Sequence, residues 1–227
     1  MISGFLLGII LTIIIYVVFD KLNKKINTPL LNPVLMSILA LVYILTKMNI
    51  TYEHYNTGGQ WITFFLGPIT VMFAIPIYKQ IPVLKKHWSA ILTGIITGVL
   101  TSFAGVYLFS LWFKIEDSLI LSLLPKSITT PMGVATSETI GGIVSVTIIS
   151  IIITGVSGYM SAPIVCKVFK IHHPVARGIA IGTSSHAMGT TKAFEMGELE
   201  GAMSSLSIGI TGIITVVLVP LLLQFIK

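Results

Sequence analysis

Two segments of this chain combine hydroxyl side chains with a lysine or a histidine in an otherwise apolar sequence. Residues 119–138 read LILSLLPKSITTPMGVATSE, and residues 174–197 read PVARGIAIGTSSHAMGTTKAFEMG. Ammonium and hydroxyl groups are hydrogen-bond donors that suit a carboxylate ligand. The pattern predicts an anion-binding site whose substrate-binding candidates are Lys126, Ser127, Thr129, Thr130, Ser184, Ser185, His186, Thr190 and Thr191.

Each of these residues also has a plainer interpretation. Small hydroxyl side chains allow helices to pack closely in lipid, whether or not they bind a ligand. Lys126 is the candidate for a buried cation facing the anion, although a lysine near a helix end can instead extend to the membrane interface. Histidine titrates near neutral pH, so His186 is a candidate for coupling transport to protons, or it only makes a hydrogen bond in a polar pocket. Glu138 and Glu195, near the ends of the two segments, are expected at the interface.

Membrane helices are the elements that must position these side chains. Hydrophobic residues make up 54% of the 227 residues and charged residues only 10%, and the mean hydropathy is +0.96. Soluble domains carry about 25% charged residues, and a helix needs about 20 apolar residues to cross the bilayer. The sequence therefore predicts an all-α polytopic membrane protein, a single integral membrane domain over residues 1–227. About six transmembrane helices are expected, at residues 2–19, 30–47, 61–78, 90–113, 140–165 and 204–226.

Several classes of function are excluded by the same composition. The single cysteine, Cys166, can form no internal disulfide, and the sequence contains no metal-ligand spacing, so no metal and no cofactor are expected. The net charge of +6 comes from lysines in short loops and predicts no nucleic-acid binding. Ser184 and Ser185 adjoin His186, and neighbours on one helix point apart instead of forming a nucleophile and base. The chain is therefore not expected to be an enzyme.

The charges of the loops predict the topology. Lysines cluster in the first and third loops, whereas acidic residues mark the second and fourth, so the odd loops are predicted to be cytoplasmic and the N-terminus external. Residues 119–138 and 174–197 are then expected to be re-entrant hairpins that enter the membrane from opposite sides, which makes the C-terminus external too. The alternative is that each segment crosses as a broken helix, giving eight spans. The hairpins are preferred because of the charge bias.

An internal repeat supports this topology. At an offset of 56 residues Met132 matches Met188 and Gly133 matches Gly189, and one inserted residue later Gly155 matches Gly212. Residues 119–227 would thus form two hairpin-plus-helix units after a four-helix part at residues 1–118. Inverted repeats with interrupted helices are typical of secondary transporters. A Gly-rich, Ser-rich and Thr-rich apolar chain also produces such matches by chance.

Breaks in the two hairpins would supply further binding groups. Proline and glycine interrupt both segments, and irregular backbone at membrane depth is tolerated where it is buried or lines a water-filled cavity. Helix N-termini carry partial positive charge and free N–H groups. Two half-helix ends facing each other would therefore form a site for a carboxylate.

The chain resembles the LrgB/CidB family of bacterial membrane proteins over essentially its whole length. The similarity is strongest in NTGGQWITFFLGPITVMFAIPIYKQ (residues 56–80), in LLPKSITTPMG (residues 123–133) and in HPVARGIAIGTSSHAMGTTKAFEMGE (residues 173–198). The combination of LLPKS-x-TTP with ARG-x-A-x-GTSSHA-x-G is specific. One departure is Gly67, where many relatives carry an acidic residue.

The resemblance implies two different functions. The family is described as antiholin-like, controlling murein hydrolase activity and autolysis with a small LrgA/CidA-like membrane partner, whereas other members move pyruvate, glycolate or glycerate. The prediction is a permease subunit for small monocarboxylates such as pyruvate, lactate or glycolate, working with that partner and linked to control of autolysis. The alternative is an antiholin-like regulator that acts by protein contact or pore formation. The implied location is the bacterial cytoplasmic membrane, and a homo-oligomeric assembly is left open.

Overall fold

The computed structural model describes residues 4–26, 32–72 and 74–226. In that part of the chain every regular element is helical, which confirms the predicted all-α polytopic membrane fold. The helices are α1 Gly4–Ile26, α2 Pro33–Lys47, α3 Tyr52–Phe64, α4 Leu66–Met72, α5 Ala74–Lys79, α6 Ile81–Phe113, α7 Asp117–Leu123, a 3-10 turn Leu124–Ser127, α8 Thr130–Ile140, α9 Val144–Val168, α10 Pro174–Met196 and α11 Glu198–Ile226.

Five of these helical runs are long and apolar enough to cross a membrane. They are Gly4–Ile26, Tyr52–Lys79 (which includes α3 to α5), Ile81–Phe113, Val144–Val168 and Glu198–Leu221. The sixth predicted span, at residues 30–47, corresponds to α2, which has 15 residues among those described. At 1.5 Å per residue α2 is about 22 Å long, shorter than the roughly 30 Å hydrocarbon core.

The chain forms two compact units, Met1–Met72 and Phe73–Lys227. The division at residue 118 that the repeat suggests stays a prediction. In the first unit α1 packs closely on α3, because glycines face each other there: a Cβ added at Gly8 would lie 3.0 Å from the Cα of Gly58. Thr12 and Tyr55 share a hydrogen bond of 2.7 Å across the same contact. Small residues that bring two helix backbones together are typical of packing in lipid.

The second unit contains both polar segments. Its largest apolar cluster is built on one face of α6, where Ile91, Ile95, Val99 and Phe103 are all buried and recur every four residues. A residue spacing of four keeps side chains on one side of a helix. Against this face pack α10, α11 and the turn before Lys126. The α6 helix is therefore the support along which the two hairpins are arranged.

The first polar segment folds back on itself. A Cβ added at Gly133, in α8, would lie 3.5 Å from the carbonyl oxygen of Pro125, before the turn. Further from the turn, the Thr147 hydroxyl of α9 donates to the Ser122 carbonyl (2.9 Å) and shares a hydrogen bond with the Ser137 hydroxyl (2.7 Å). Residues on either side of position 129 are thus paired across two antiparallel arms. We call residues 117–140 hairpin 1.

The second polar segment, Pro174–Met196, reverses at His186, which has φ 42° and ψ −140°. A Cβ added at Gly189 would lie 2.9 Å from the side chain of Ile181, which places the two arms side by side. The first arm runs parallel to α11, with Gly178 beside Met203, whereas the second arm runs antiparallel to it, with Thr190 bonded to Ser204 at 2.6 Å. We call this segment hairpin 2. Both segments therefore have the folded-back form that the hairpin alternative predicts.

The two hairpins approach α9 from opposite ends. Hairpin 1 lies along its first turns, and a Cβ at Gly133 would be 2.5 Å from Cδ1 of Ile151. Hairpin 2 lies along its later turns, where Tyr159 donates a 2.8 Å hydrogen bond to Glu195, and its turn reaches back to the carbonyl oxygen of Ile151. The two turns meet beside this one residue.

Contacts between the repeats are reciprocal. A Cβ added at Gly155 of α9 would lie 2.8 Å from the sulfur of Met188 in hairpin 2. A Cβ added at Gly212 of α11 would lie 2.6 Å from the sulfur of Met132 in hairpin 1. These glycines and methionines are the pairs that match at offsets of 57 and 56 residues. Each long helix thus receives a methionine from the other repeat, which is the contact pattern of two units related by a pseudo-two-fold axis.

Candidate functional site

A cavity of about 680 Å³ lies beside α6 in the second unit. Its walls are α6, the first arm of hairpin 2 and the end of the 3-10 turn of hairpin 1. The side chains around it are mostly small or carry hydroxyl groups, which leaves the space open. The lining residues are His87, Ala90, Gly94, Thr97, Gly98, Thr101, Ser102, Lys126, Ser127, His173, Val175, Ala176, Ile179, Ala180, Thr183 and Ser184.

The polar end of the cavity is formed by Lys126, Ser127 and Ser102. The ammonium group of Lys126 donates to the hydroxyl oxygens of Ser102 and Ser127, each at 3.4 Å, and the two hydroxyls are 3.1 Å apart. The lysine is partly buried, and among the described residues no carboxylate lies within ion-pair distance of it. A buried ammonium without a counter-charge is costly in a membrane, and an arriving anion offsets that cost. This cluster can therefore bind a carboxylate.

Three of the nine predicted site residues line this cavity: Lys126, Ser127 and Ser184. The hydroxyl of Ser184 is shared with Ser185 at 2.9 Å and also donates to the carbonyl of Ala180 at 2.8 Å. Ser185 itself is buried beneath the wall.

The other predicted residues of hairpin 2 lie elsewhere. The Nε2 atom of His186 donates to the carbonyl oxygen of Ile151 at 2.9 Å, and the ring is buried against Gly155. The hydroxyl of Thr190 donates to the carbonyl of His186 at 2.9 Å. These contacts hold the reversed backbone at His186 in place. Thr191 is exposed and bonds only to its own helix, at the carbonyl of Ala187.

Thr129 and Thr130 stand at the start of α8, where hairpin 1 turns back. Thr129 precedes the helix with an extended backbone and is partly buried, whereas Thr130 is exposed. Neither lines the cavity. Their contribution to binding stays a prediction, as does proton coupling by His186.

The sequence interpretation did not include the residues of α6. Ser102, Thr97 and Thr101 face the cavity together with Gly94 and Gly98. Their signal is visible in TGIITGVLTSFAG (residues 93–105), where a hydroxyl residue followed by a glycine or serine recurs every four positions. Such a spacing places small polar residues on one side of a helix. In an apolar span this stripe could have been identified as a cavity wall.

Two histidines mark the far end of the cavity. His87 interrupts α6, with a non-helical φ of −116° and ψ of 16°, and His173 precedes α10. Their rings meet edge to face with centroids 5.8 Å apart. His87 and Ser102 are 15 residues apart on α6, or about 22 Å at 1.5 Å per residue. The cavity thus extends from an imidazole pair to the lysine cluster.

Comparisons with known proteins point to one family. The profile of the LrgB-like family matches residues 12–225. Proteins named "Antiholin-like protein LrgB" from Bacillus mycoides (strain KBAB4), Bacillus cereus (strain B4264) and Bacillus anthracis (strain CDC 684 / NRRL 3495) are each 40% identical over 185 residues, covering 82% of this chain and 80% of theirs. No solved structure matches the chain. The family match covers almost the whole sequence, including both hairpins, and this chain therefore belongs to the LrgB family.

Proposed function

We propose that this protein is the permease subunit of a carrier for small monocarboxylates. The observation that supports the proposal most strongly is the ammonium group of Lys126, which lies at the end of a cavity without an ion-pair partner among the described residues. Charged groups within membrane segments mark substrate pathways more often than not. The arrangement of two interlocked hairpins beside this lysine is also typical of transporters.

The lining of the cavity favours a small monoanion. Lys126 is the one lysine, arginine or carboxylate among the lining residues, and the remaining lining consists of hydroxyl, glycine and short apolar side chains together with the two histidines at the far end. One cation balances one carboxylate, and Ser102 and Ser127 offer hydroxyl groups to the carbonyl or hydroxyl oxygen next to it. Pyruvate, lactate and glycolate have this chemistry. The volume of about 680 Å³ leaves space for a hydrated substrate.

Helix ends add to the positive potential near this cluster. The 11-residue helix α8 begins at the turn of hairpin 1, and the second arm of hairpin 2 begins after His186. Helix N-termini carry roughly half a positive charge and favour anions. Because the two turns meet beside Ile151, both N-termini start in the same region of the protein.

An antiholin-like regulator is the second candidate function. It is supported by the printed names of the relatives, which favour it over transport. A regulator that acts by protein contact needs no lysine in a cavity and no substrate. The two candidates therefore differ in what they require of Lys126.

Further parts of the proposal concern the cellular setting. We place the protein in a bacterial cytoplasmic membrane with both termini external, paired with a small LrgA/CidA-like membrane protein and without enzymatic activity. The charge bias of the loops and the family resemblance support these statements. Single cysteines at Thr57 and Asp117 should react with impermeant reagents from outside, whereas one at Gln80 should not.

Uptake by reconstituted vesicles tests the proposed function. Vesicles that contain the protein, with and without the small partner, are given labelled pyruvate, lactate or glycolate. Saturable uptake that unlabelled substrate competes away is expected. Leakage without selectivity among solutes, or no flux together with restored control of autolysis in cells, would favour the antiholin-like function.

A further inference from the structure

A second cavity, of about 340 Å³, lies further along α6 in the same unit. It is enclosed by α6, hairpin 1 and the end of α11, and its lining is apolar except for Tyr107 and the exposed Asp117. The lining residues are Leu100, Phe103, Ala104, Tyr107, Asp117, Ile120, Leu121, Leu124, Val219 and Leu223. None of the nine predicted site residues lines this cavity.

The internal repeat relates the second cavity to the first. Ile120 and Leu124 in the first arm of hairpin 1 are 56 residues before Ala176 and Ala180 in the first arm of hairpin 2. Asp117 precedes His173 by the same offset. All these residues line one cavity or the other. The first arms of the two hairpins thus line one cavity each at matching positions, with alanines beside the first cavity and the larger isoleucine and leucine beside the second.

Two bulky side chains that line the second cavity lie close in sequence to the lysine cluster. Leu124 stands two residues before Lys126, and Phe103 follows Ser102. Both are buried, at 8% and 6% exposure, and both belong to the apolar cluster on α6. On α6 the first cavity is lined by residues between positions 87 and 102 and the second by residues between positions 100 and 107, so the two cavities follow one another along this helix and adjoin near Ser102 and Phe103.

We propose that the second cavity is the other half of the substrate route and that Leu124 and Phe103 form the gate that closes it in this structure. The proposal rests on the proposed function, because a route needs a solute. In this structure the Lys126 cluster would be reached from the membrane side marked by His87 and His173. The gate would block access to the cluster from the opposite side, which Asp117 marks. Movement of hairpin 1 away from α6 would withdraw Leu124 and join the second cavity to the cluster.

Accessibility of a cysteine in the first cavity tests the gate without measuring transport. The background variant Cys166→Ser removes the native thiol, and Thr97→Cys places a reporter in the first cavity. In oriented vesicles an impermeant thiol reagent should label this reporter from the His87 and His173 face. Asp117→Cys in the same background identifies the opposite face.

Leu124→Ala is the informative change, because it gives hairpin 1 the residue that hairpin 2 has at Ala180. The labelling rate of the Thr97→Cys reporter from the Asp117 face should rise at least tenfold. Leu123→Ala is the matched control: it removes the same atoms from a neighbouring residue that packs against the same apolar cluster and lines neither cavity. The gate is refuted if Leu124→Ala elutes as a folded protein and the labelling rate of the reporter from the Asp117 face is unchanged. It is also refuted if Leu123→Ala raises that labelling rate equally.

A second variant fills open space and so avoids the risk of unfolding. Ala180→Leu places in the first cavity the side chain that closes the second, and it should slow labelling of the reporter from the His87 and His173 face at least fivefold. No slowing would refute the equivalence of the two cavities. If Leu124→Ala opens the gate but the vesicles show no carboxylate uptake, the gate stands and the proposed function fails. If uptake is present and neither variant changes labelling, only the gate is refuted.

Discussion

The two hairpins have the same form but use their turns differently. At the turn of hairpin 1, Lys126 and Ser127 face the cavity and bond to Ser102 of another helix. At the turn of hairpin 2, His186 is buried and bonded to the backbone of α9, and Thr190 secures the carbonyl of the same residue. Polar residues at the two turns therefore line the cavity in hairpin 1 and stabilise the turn itself in hairpin 2, so the polar character of a re-entrant turn does not by itself identify a substrate contact.

The largest effect that this comparison predicts is on the lysine of hairpin 1. Lys126→Gln should lower carboxylate uptake by about 10-fold to 100-fold, because hydrogen bonds to charged groups contribute about 1.5–3 kcal/mol. Lys126→Arg retains the charge but adds a bulky planar group, so partial uptake is expected. Initial rates in vesicles, normalised to the amount of protein, measure both.

The matched control is Lys192→Gln in hairpin 2. Lys192 is paired with Glu195 at 2.7 Å and does not line the cavity, so its removal should change uptake less than twofold. Normal uptake by a well-expressed Lys126→Gln protein would mean that this lysine only extends to the interface. The comparison between the hairpins would then fail.

A second prediction addresses the docking of hairpin 2 on α9. A Cβ at Gly158 would overlap the Ser185 hydroxyl, so Gly158→Ala should reduce the free energy of unfolding by about 1–3 kcal/mol. Gly209→Ala is the control, since nothing lies within 4 Å of a Cβ there and alanine favours a helix by up to about 1 kcal/mol. Thermal melting in detergent micelles compares the two variants, and equal melting temperatures would show that hairpin 2 does not rely on close packing.

A third prediction concerns the α6 side of the lysine cluster. Ser102→Ala removes one neutral hydrogen-bonding group and should reduce uptake by about 2-fold to 10-fold, from a contribution of about 0.5–1.5 kcal/mol. Ser89→Ala, on an exposed part of the same helix outside the cavity, should have no effect. The same loss of uptake in both variants would exclude a specific role for Ser102.

The smallest predicted effect separates strain from bonding at the turn of hairpin 2. His186→Ala and His186→Gly both lose the hydrogen bond to Ile151, but only glycine adopts a φ of 42° without strain. After allowance for the greater backbone entropy of glycine, the Gly variant should be more stable by about 1 kcal/mol. If the Ala variant melts at the same temperature or higher, the turn is not strained at this residue.

Much of the architecture could be predicted from the sequence because it depends on local and periodic features. Charge-free stretches identify the long helices, and proline and glycine within residues 119–138 and 174–197 indicate that neither segment is a straight helix. In hairpin 2, however, the reversal is at His186, and the predicted breaks at Gly182 and Gly189 are wrong because both residues are helical. The repeat offset pairs Gly155 with Gly212 and Met132 with Met188, and the structure shows these residues in equivalent contacts. Periodicity and repeat matches are properties of the chain alone.

The composition of the cavity wall could not be obtained in the same way. Whether a side chain lines a cavity depends on how the hairpin arm is rotated against its neighbour, and that rotation is set by contacts distant in sequence. Ser184 and His186 are two residues apart, yet the first faces the cavity and the second is buried against α9. Ser102 was missed because it lies within the predicted span at residues 90–113 and becomes significant only where hairpin 1 meets it.

The reciprocal methionine contacts have a consequence for biosynthesis. When α9 leaves the ribosome, its Gly155 surface has no partner because Met188 is synthesised later. Met132 is synthesised before α9, but its contact Gly212 lies in α11 and is synthesised later still. Neither repeat can complete its packing during its own synthesis. The reciprocal contacts of the second unit can therefore be completed only after α11 has been made.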